Sequence, residues 1–290
     1  MSTIKRATDK LRRITYRTLQ TPKELARLRE ANGSSSTMLA DAIEAVVHNR
    51  VSALGRVWID KIEDLRVEML ASKREIVIDD FGTHAADAPP HLPVIDDGGV
   101  VIRTVKDAAE SSSPQTWGLL LFELVSRFQP DTLIELGTGV GISAAYQAAA
   151  LTLNGHGHLV TIEGADSLVE LAEANLSTQL GLEPLSIVYG RFQDKLKPVL
   201  KDHGPVDMVF LDGHHDEEAT VGYFEHILPY LSPLAIFVID DINWSAGMER
   251  AWQQIIQHDR VDYAIDMVQF GICVIISDKG RQRYSKIVVT

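Results

Sequence analysis

From residue 132 onward the chain alternates short apolar runs with segments of helical periodicity, and this pattern limits the possible folds more than any other feature. Apolar runs at residues 132–136, 159–162, 185–189, 208–211 and 235–239 are too short for helices and apolar at successive positions, so each reads as a strand buried on both faces. Between them, residues 142–152, 166–180, 191–201, 217–231 and 246–258 repeat apolar residues at helical spacing. Strands of this kind separated by helices specify a mainly parallel sheet covered on both sides, with right-handed crossovers. Residues 263–268 and 271–276 depart from the pattern. Almost nothing separates them, so they must pair as a hairpin and bring an antiparallel strand into the sheet.

The first 111 residues have a different character. Thr21 followed by Pro22 is a helix start, and Ser34 to Thr37 precede a stripe at Leu39, Ile43, Val46, Val47, Val51, Leu54, Val57, Trp58, Ile62, Leu65 and Met69. If Gly55 does not interrupt it, this is one helix of roughly 50 Å, lying across the main domain, forming a dimer seam or covering an active site. Residues 76–111 are punctuated by Asp79-Asp80-Phe81-Gly82, Pro89-Pro90, Pro93, Gly98-Gly99 and Ser111-Ser112-Ser113, a loop-rich connector with one or two short strands. Pro114 is placed as the first residue of the next helix. The expected division is therefore a helical and connector region at 1–111, serving as lid or oligomer contact, and a main domain at 112–290.

Composition excludes several function classes. With 45% hydrophobic and 23% charged residues the chain of 290 is that of a folded globular protein, and no apolar run approaches the roughly 20 residues of a membrane span. A net charge of −12 repels phosphate backbones, so neither nucleic acid nor membrane is an expected partner. Lys5, Arg6, Lys10, Arg12, Arg13 and Arg17 form a local basic exception, as a solvated helical tail, a docking arm or an organellar presequence. Cys273, the one cysteine, rules out an intramolecular disulfide and makes a reducing, cytoplasmic compartment the default.

Ligands of open α/β sheets bind beyond the carboxyl ends of the strands, so the residues after each strand form a set. The first strand ends in Glu135-Leu136-Gly137-Thr138-Gly139-Val140-Gly141-Ile142-Ser143, a glycine-rich turn opening a helix. Such a turn lets backbone amides and the positive helix end approach a ligand closely. Its spacing is G-x-G-x-G. The dinucleotide fingerprint needs a glycine where Ile142 stands, and a P-loop needs a Gly-Lys pair that is absent. The second strand ends in Glu163-Gly164, where a carboxylate can accept both hydroxyls of a ribose. Asp212-Gly213-His214-His215 follows the fourth strand and Asp240-Asp241-Ile242-Asn243-Trp244 the fifth. Three carboxylates converging at adjacent strand ends call for a cation or for protonation of one of them, and oxygen donors suit Mg²⁺, Ca²⁺ or Mn²⁺.

Together, Glu135, the G-x-G-x-G turn and Glu163 resemble the S-adenosylmethionine site of class I methyltransferases, over residues 112–290 and including the terminal antiparallel hairpin. The resemblance implies a Rossmann-like, doubly wound seven-stranded α/β sheet with an antiparallel C-terminal strand. It implies that Glu135 helps hold the methionine amino group, that Gly137, Thr138, Gly139, Gly141 and Ser143 pass beneath the methionine, that Glu163 and Gly164 hold the ribose, and that Phe192 and Asp212 complete the cofactor contacts. The acids after the fourth and fifth strands are similar to those of metal-dependent O-methyltransferases of the catechol type and of bacterial relatives with a D-G-x-H motif. That likeness implies Mg²⁺ held by Asp212, Asp240 and Asp241, a small hydroxylated acceptor, and His215 with Asp212 in the catalytic role. Asp241 stands where catechol enzymes have Asn, a Lys expected after Asp212 is absent, and Pro233-Leu234-Ala235 replaces a Pro-Gly-Gly turn, which weigh against catechol itself. The expectation is a metal-dependent O-methyltransferase, dimeric and cytoplasmic; the alternative is a cofactor-binding regulatory or scaffold protein without turnover.

Overall fold

The computed structural model describes residues 18–31, 33–80 and 99–289, so most of the basic segment and the proline-rich part of the connector lie outside the described residues. Among the described residues three helices come first, α1 (Thr21–Glu30), α2 (Ser34–Val47) and α3 (Ala53–Ala71), followed by a ribbon of β1 (Glu75–Asp80) and β2 (Gly99–Thr104). Next come α4 (Val105–Glu110) and α5 (Gln115–Phe128), with Pro114 as the cap of α5. The alternating region then runs β3 (Thr132–Leu136), α6 (Ile142–Asn154), β4 (His158–Glu163), α7 (Asp166–Glu173), β5 (Leu185–Tyr189), α8 (Phe192–His203), β6 (Val206–Leu211), α9 (Glu217–Ile227), β7 (Leu231–Ile239) and α10 (Ala246–Ile255). It closes with β8 (Val261–Asp266), β9 (Gly271–Ile276) and β10 (Arg283–Lys286).

The large sheet has the order β5-β4-β3-β6-β7-β9-β8-β10. β3 to β7 are parallel, and β9 is antiparallel to both β7 and β8, as the short hairpin requires. Seven of its strands are those expected from the apolar pattern. The eighth, β10, adds parallel to β8 at the edge and is tied down by polar contacts rather than apolar alternation: Arg283 to Asp262 at 2.9 Å and Lys286 to Asp266 at 3.0 Å.

Two hydrophobic clusters cover the sheet. On one face Leu133 and Phe210 pack beneath α5 and α6, and Leu39, Ile43, Ile59 and Ile62 from the N-terminal helices join the same cluster. On the other, Ile134, Leu136 and Phe237 pack beneath α8, α9 and α10. The long N-terminal stripe is two helices and not one. The break is not at Gly55 but before it: Asn49 adopts a left-handed φ of 47° and the Arg50 amide donates back to the Ala45 carbonyl at 2.8 Å, a Schellman-type stop. Ser52 then caps α3 by accepting from the Gly55 amide at 3.0 Å.

Gly118 of α5 lets α6 approach closely, since a Cβ there would sit 2.4 Å from the buried ring of Tyr146. Alanine favours a helix over glycine by about 1 kcal/mol, yet the collision outweighs that gain. Gly118→Ala is expected to destabilise the fold by about 1–3 kcal/mol in urea unfolding, the opposite sign to helix propensity.

Candidate functional site

Four backbone hydrogen bonds fix the strand ends from which the site is built. The Gly137 amide donates to Ile162 at 3.0 Å, that of Asp212 to Leu136 at 2.9 Å, that of Asp240 to Leu211 at 2.9 Å, and that of Gly190 to Glu163 at 2.8 Å. Beyond them the loops enclose a cavity of about 490 Å³, at the carboxyl edge of the parallel strands. Gly137, Thr138, Gly139, Ser143, Glu163, Gly164, Phe192, Asp212, His215 and Asp241 all line it. Position 137 requires glycine twice over: its φ is +101°, and a Cβ would lie 1.9 Å from the Asp212 carbonyl oxygen. Gly141 does not face the cavity; with φ +90° it opens α6 and lets Leu176 pack against the loop.

Glu163 is tied to the loop it faces. Its Oε2 accepts from the Gly139 amide at 2.9 Å and its Oε1 from the Ala165 amide at 3.0 Å. Burial pushes its pKa up, opposed by these amides.

Glu135 lies beneath the loop and not on the wall. Its Oε1 accepts from Gln147 at 2.7 Å and its Oε2 from the Thr161 hydroxyl at 2.6 Å, which in turn pairs with Thr138 at 2.6 Å. This buried chain links the acid to the cavity through Thr138. Burial raises the Glu135 carboxyl to about 7, with Thr161, Ser143 and Gln147 acting in the other direction.

The three aspartates divide. Asp212 and Asp241 face the cavity, but Asp240 is behind it, 5% exposed. Its Oδ1 accepts from the Asp241 amide at 2.6 Å and from Gln269 at 3.2 Å, and its Oδ2 from Ser113 at 3.4 Å. Desolvation raises the pKa of all three, and repulsion from the neighbouring aspartates adds to it at Asp212 and Asp240. Among the described residues, no three His, Cys, Asp or Glu side chains are grouped so as to hold a metal ion, so the expected three-acid set is not assembled. His215 Nε2 stands 3.7 Å from Asp212 Oδ1, and its charge would lower the Asp241 pKa. His214 also lines the cavity, its Nδ1 3.1 Å from the Tyr223 hydroxyl.

Trp244 lies on the wall beside His215, whereas Trp117 and Trp252 are buried, Trp117 stacked on Phe270 at 4.7 Å. Wall residues from before the sheet were missed by sequence reasoning: Ile78, Val101 and Arg103 of the ribbon, Ala108, and Ser111 to Ser113. One or two short strands were expected somewhere in the connector, but no local pattern signals where an isolated ribbon docks.

With this geometry in place, comparison with known proteins is informative. Residues 134–242 match the family described as "Methyltransferase domain". A Catechol O-methyltransferase of Niastella koreensis is 30% identical over 135 residues, covering 46% of this chain; the chain spans 59% of that relative's length. An O-methyltransferase from Bacillus cereus, solved in complex with SAH, superimposes with a TM-score of 0.51 at 20% identity, over 76% of this chain and 90% of its own. An SAH-bound methyltransferase of Podospora anserina gives 0.51 at 15% identity, over 59% and 82%. The region that carries the cavity is thus similar, over residues 134–242, to methyltransferase domains of class I. Within that class it resembles the catechol-type O-methyltransferases.

Glu135 supplies a pH test of the buried chain. Its folded pKa of about 7 lies above the ordinary 4.5, so the folded state holds the proton more tightly. Its contribution is therefore fully present below pH 4.5 and is lost as pH rises toward about 7. Relative to wild type, Glu135→Gln is expected to remove up to about 1.4 kcal/mol per pH unit of stability slope in that window, measured by denaturant midpoints across pH. An unchanged slope would place the proton elsewhere.

Proposed function

We propose that the protein transfers a methyl group from S-adenosylmethionine to an oxygen of a small hydroxylated molecule. The observation that carries this reading is the hydrogen bond of 2.9 Å from the Gly139 amide to Glu163: it locks the glycine-rich turn to the carboxylate of the next strand on the wall of one cavity. Across that cavity stand Asp212, His215, Asp241 and Trp244, where an acceptor would meet the cofactor. The regulatory or scaffold alternative is not favoured, because no feature of this wall calls for it.

In this reading the loop from Gly137 to Gly141 offers backbone amides beneath the methionine, Glu163 holds the ribose, and Phe192 borders the nucleoside. Glu135 acts from below, through Thr161 and Thr138, to fix the loop. Bound S-adenosylmethionine would supply an activated methyl on sulfur, and a divalent cation held by Asp212 and Asp241 would supply positive charge to lower the pKa of the acceptor hydroxyl. His215 would take the hydroxyl proton on its ring as the methyl passes from sulfur to the acceptor oxygen, and the Asp212 carboxylate, 3.7 Å away, would favour the charged ring. The walls hold the acceptor oxygen in line with the breaking bond.

Asp212 and Asp241 fit a cation of the Mg²⁺ type, which keeps several waters and needs one or two carboxylates, and neutralising their repulsion would favour it. Asp240 would act behind them by positioning Asp241 through its backbone amide. The N-terminal region to residue 111 belongs to the same proposal as a cover, since its ribbon and Ser111 line the cavity.

Calorimetry with S-adenosylmethionine and S-adenosylhomocysteine is the first test, and absence of binding to either would overturn the reading. Glu163→Ala is expected to weaken both by about 1.5–3 kcal/mol while the protein remains folded. In assays over catechols, sugars and phenols, turnover should be lost in EDTA and in Asp241→Asn, with cofactor affinity changed less than about tenfold. Turnover undiminished by EDTA would remove the cation and leave His215 as the proton acceptor.

A further inference from the structure

The cavity wall is rich in carboxylates: Asp79, Glu163, Asp212 and Asp241 all contribute to it, in a chain of net charge −12. An anionic group on an entering ligand is repelled from such a wall unless a cation meets it. Among the described residues, two guanidinium groups reach the wall. Arg191 stands exposed at the carboxyl end of β5, beside Phe192. Arg103 is different, because the ribbon turns it inward.

In the ribbon Ile76 pairs with Arg103 and Ile78 with Val101, and these share the face turned to the protein, where Ile76 is buried and the other three line the cavity. Val77, Val100 and Ile102 occupy the opposite, exposed face. Arg103 is half-buried, and among the described residues its side chain makes no hydrogen bond or ion pair. Asp107, whose pKa its charge helps to lower, is already engaged: it accepts from the Thr104 amide at 2.9 Å and the Thr104 hydroxyl at 2.7 Å. That same capping box fixes the backbone next to Arg103. The ribbon is held to the domain by Ser167, which donates to the Val77 carbonyl at 2.5 Å, and its own ladder is extended by the Val105 amide, which donates to the Arg74 carbonyl at 2.8 Å.

The serine run beside it offers a second donor. Ser113 is committed, its carbonyl to Arg66 at 2.9 Å and its hydroxyl to Asp240, and the Ser111 hydroxyl donates to the Asp107 carbonyl at 3.2 Å. The Ser112 hydroxyl makes no such bond among the described residues and belongs to the same wall. A planar guanidinium on a fixed backbone, with no hydrogen-bond or ion-pair partner among the described residues, matches the geometry of a carboxylate or phosphate, and a hydroxyl on the same wall adds a donor.

We infer that Arg103 and Ser112 form an oxyanion subsite that takes a carboxylate of one of the two small molecules held in the cavity. The inference rests on the proposed methyl transfer, and the carboxylate comes either from the amino-acid end of the cofactor or from an acidic acceptor. The ribbon then reads ligand charge and does more than cover the cavity.

Calorimetry separates the two sources. S-adenosylhomocysteine and 5′-methylthioadenosine, which lacks the amino-acid carboxylate, are titrated into wild type, Arg103→Gln, Arg103→Lys and Ser112→Ala. Catechol and 3,4-dihydroxybenzoate are then titrated into the same proteins loaded with S-adenosylhomocysteine. A tenfold or greater loss of S-adenosylhomocysteine affinity in Arg103→Gln, with methylthioadenosine within twofold, assigns the subsite to the cofactor. Unchanged cofactor affinity with a tenfold loss confined to the dihydroxybenzoate assigns it to the acceptor. In either case Arg103→Lys should recover part of the loss and Ser112→Ala should show a smaller loss of the same selectivity. Equal effects on charged and uncharged ligands, or none, overturn the subsite. Should Arg103→Gln melt early, the selectivity of Arg103→Lys and Ser112→Ala decides in the same way. Failure of wild type to bind either nucleoside overturns the underlying reading and the subsite with it.

Discussion

A backbone carbonyl sets the position of the glycine-rich turn. The oxygen of Asp212 occupies the space into which a side chain at position 137 would project, 1.9 Å from an ideal Cβ. The ends of β3 and β6 can adjoin only because that side chain is missing, and each then passes its hydrogen bonding on to a neighbour. From this junction the turn continues with left-handed φ at Gly139 and Gly141, placing one amide on Glu163 and opening α6. The closeness of the glycine-rich turn to the acids after β6 is thus a steric consequence of the sheet, fixed before any ligand arrives.

That closeness has an electrostatic cost. Glu135, Asp212, Asp240 and Asp241 all have raised pKa values, chiefly from burial and, for Asp212 and Asp240, also from the neighbouring aspartates. The fold tolerates them by supplying donors: Gln147 and Thr161 at Glu135, and the Asp241 amide, Gln269 and Ser113 at Asp240. Asp212 and Asp241, which face the cavity, rely more on His215 and on whatever the cavity holds. Buried carboxylates satisfied from inside therefore shape the site, and those on the wall are available for chemistry.

The sheet was legible because each strand is a local signal. An apolar run between helical segments needs no tertiary context, and a glycine turn followed by Glu163 carries its own geometry. What depends on tertiary contact was not legible. The strand β10, with Arg283, Tyr284 and Lys286, has no apolar alternation and is held by Asp262 and Asp266. The division of the long helix at Asn49 rests on a left-handed residue that periodicity does not register, while Gly55, the apparent breaker, is a site of close packing against Phe122. The aspartate pair illustrates the same limit within the site. Adjacency in sequence suggested that Asp240 and Asp241 act together, yet Asp241 takes a left-handed φ of 53° and Asp240 turns its carboxylate to the amide beside it.

The N-terminal helices are connected to this site by more than packing. The Tyr146 hydroxyl, from the helix that follows the glycine turn, donates to Glu63 of α3 at 2.7 Å, and Glu63 pairs with Arg66 at 3.1 Å. Arg66 then donates to the Ser113 carbonyl, and the Ser113 hydroxyl reaches Asp240. The Glu63–Arg66 pair is largely shielded, with side chains 23% and 11% exposed, so it is screened less than a surface pair. A path of named contacts therefore runs from the helix that follows the glycine-rich turn, through α3, to the acids on the far side of the cavity. Because Ser111 and Ser112 adjoin its last link, a shift of α3 cannot leave the serine wall unmoved, which makes the N-terminal region a structural part of the site.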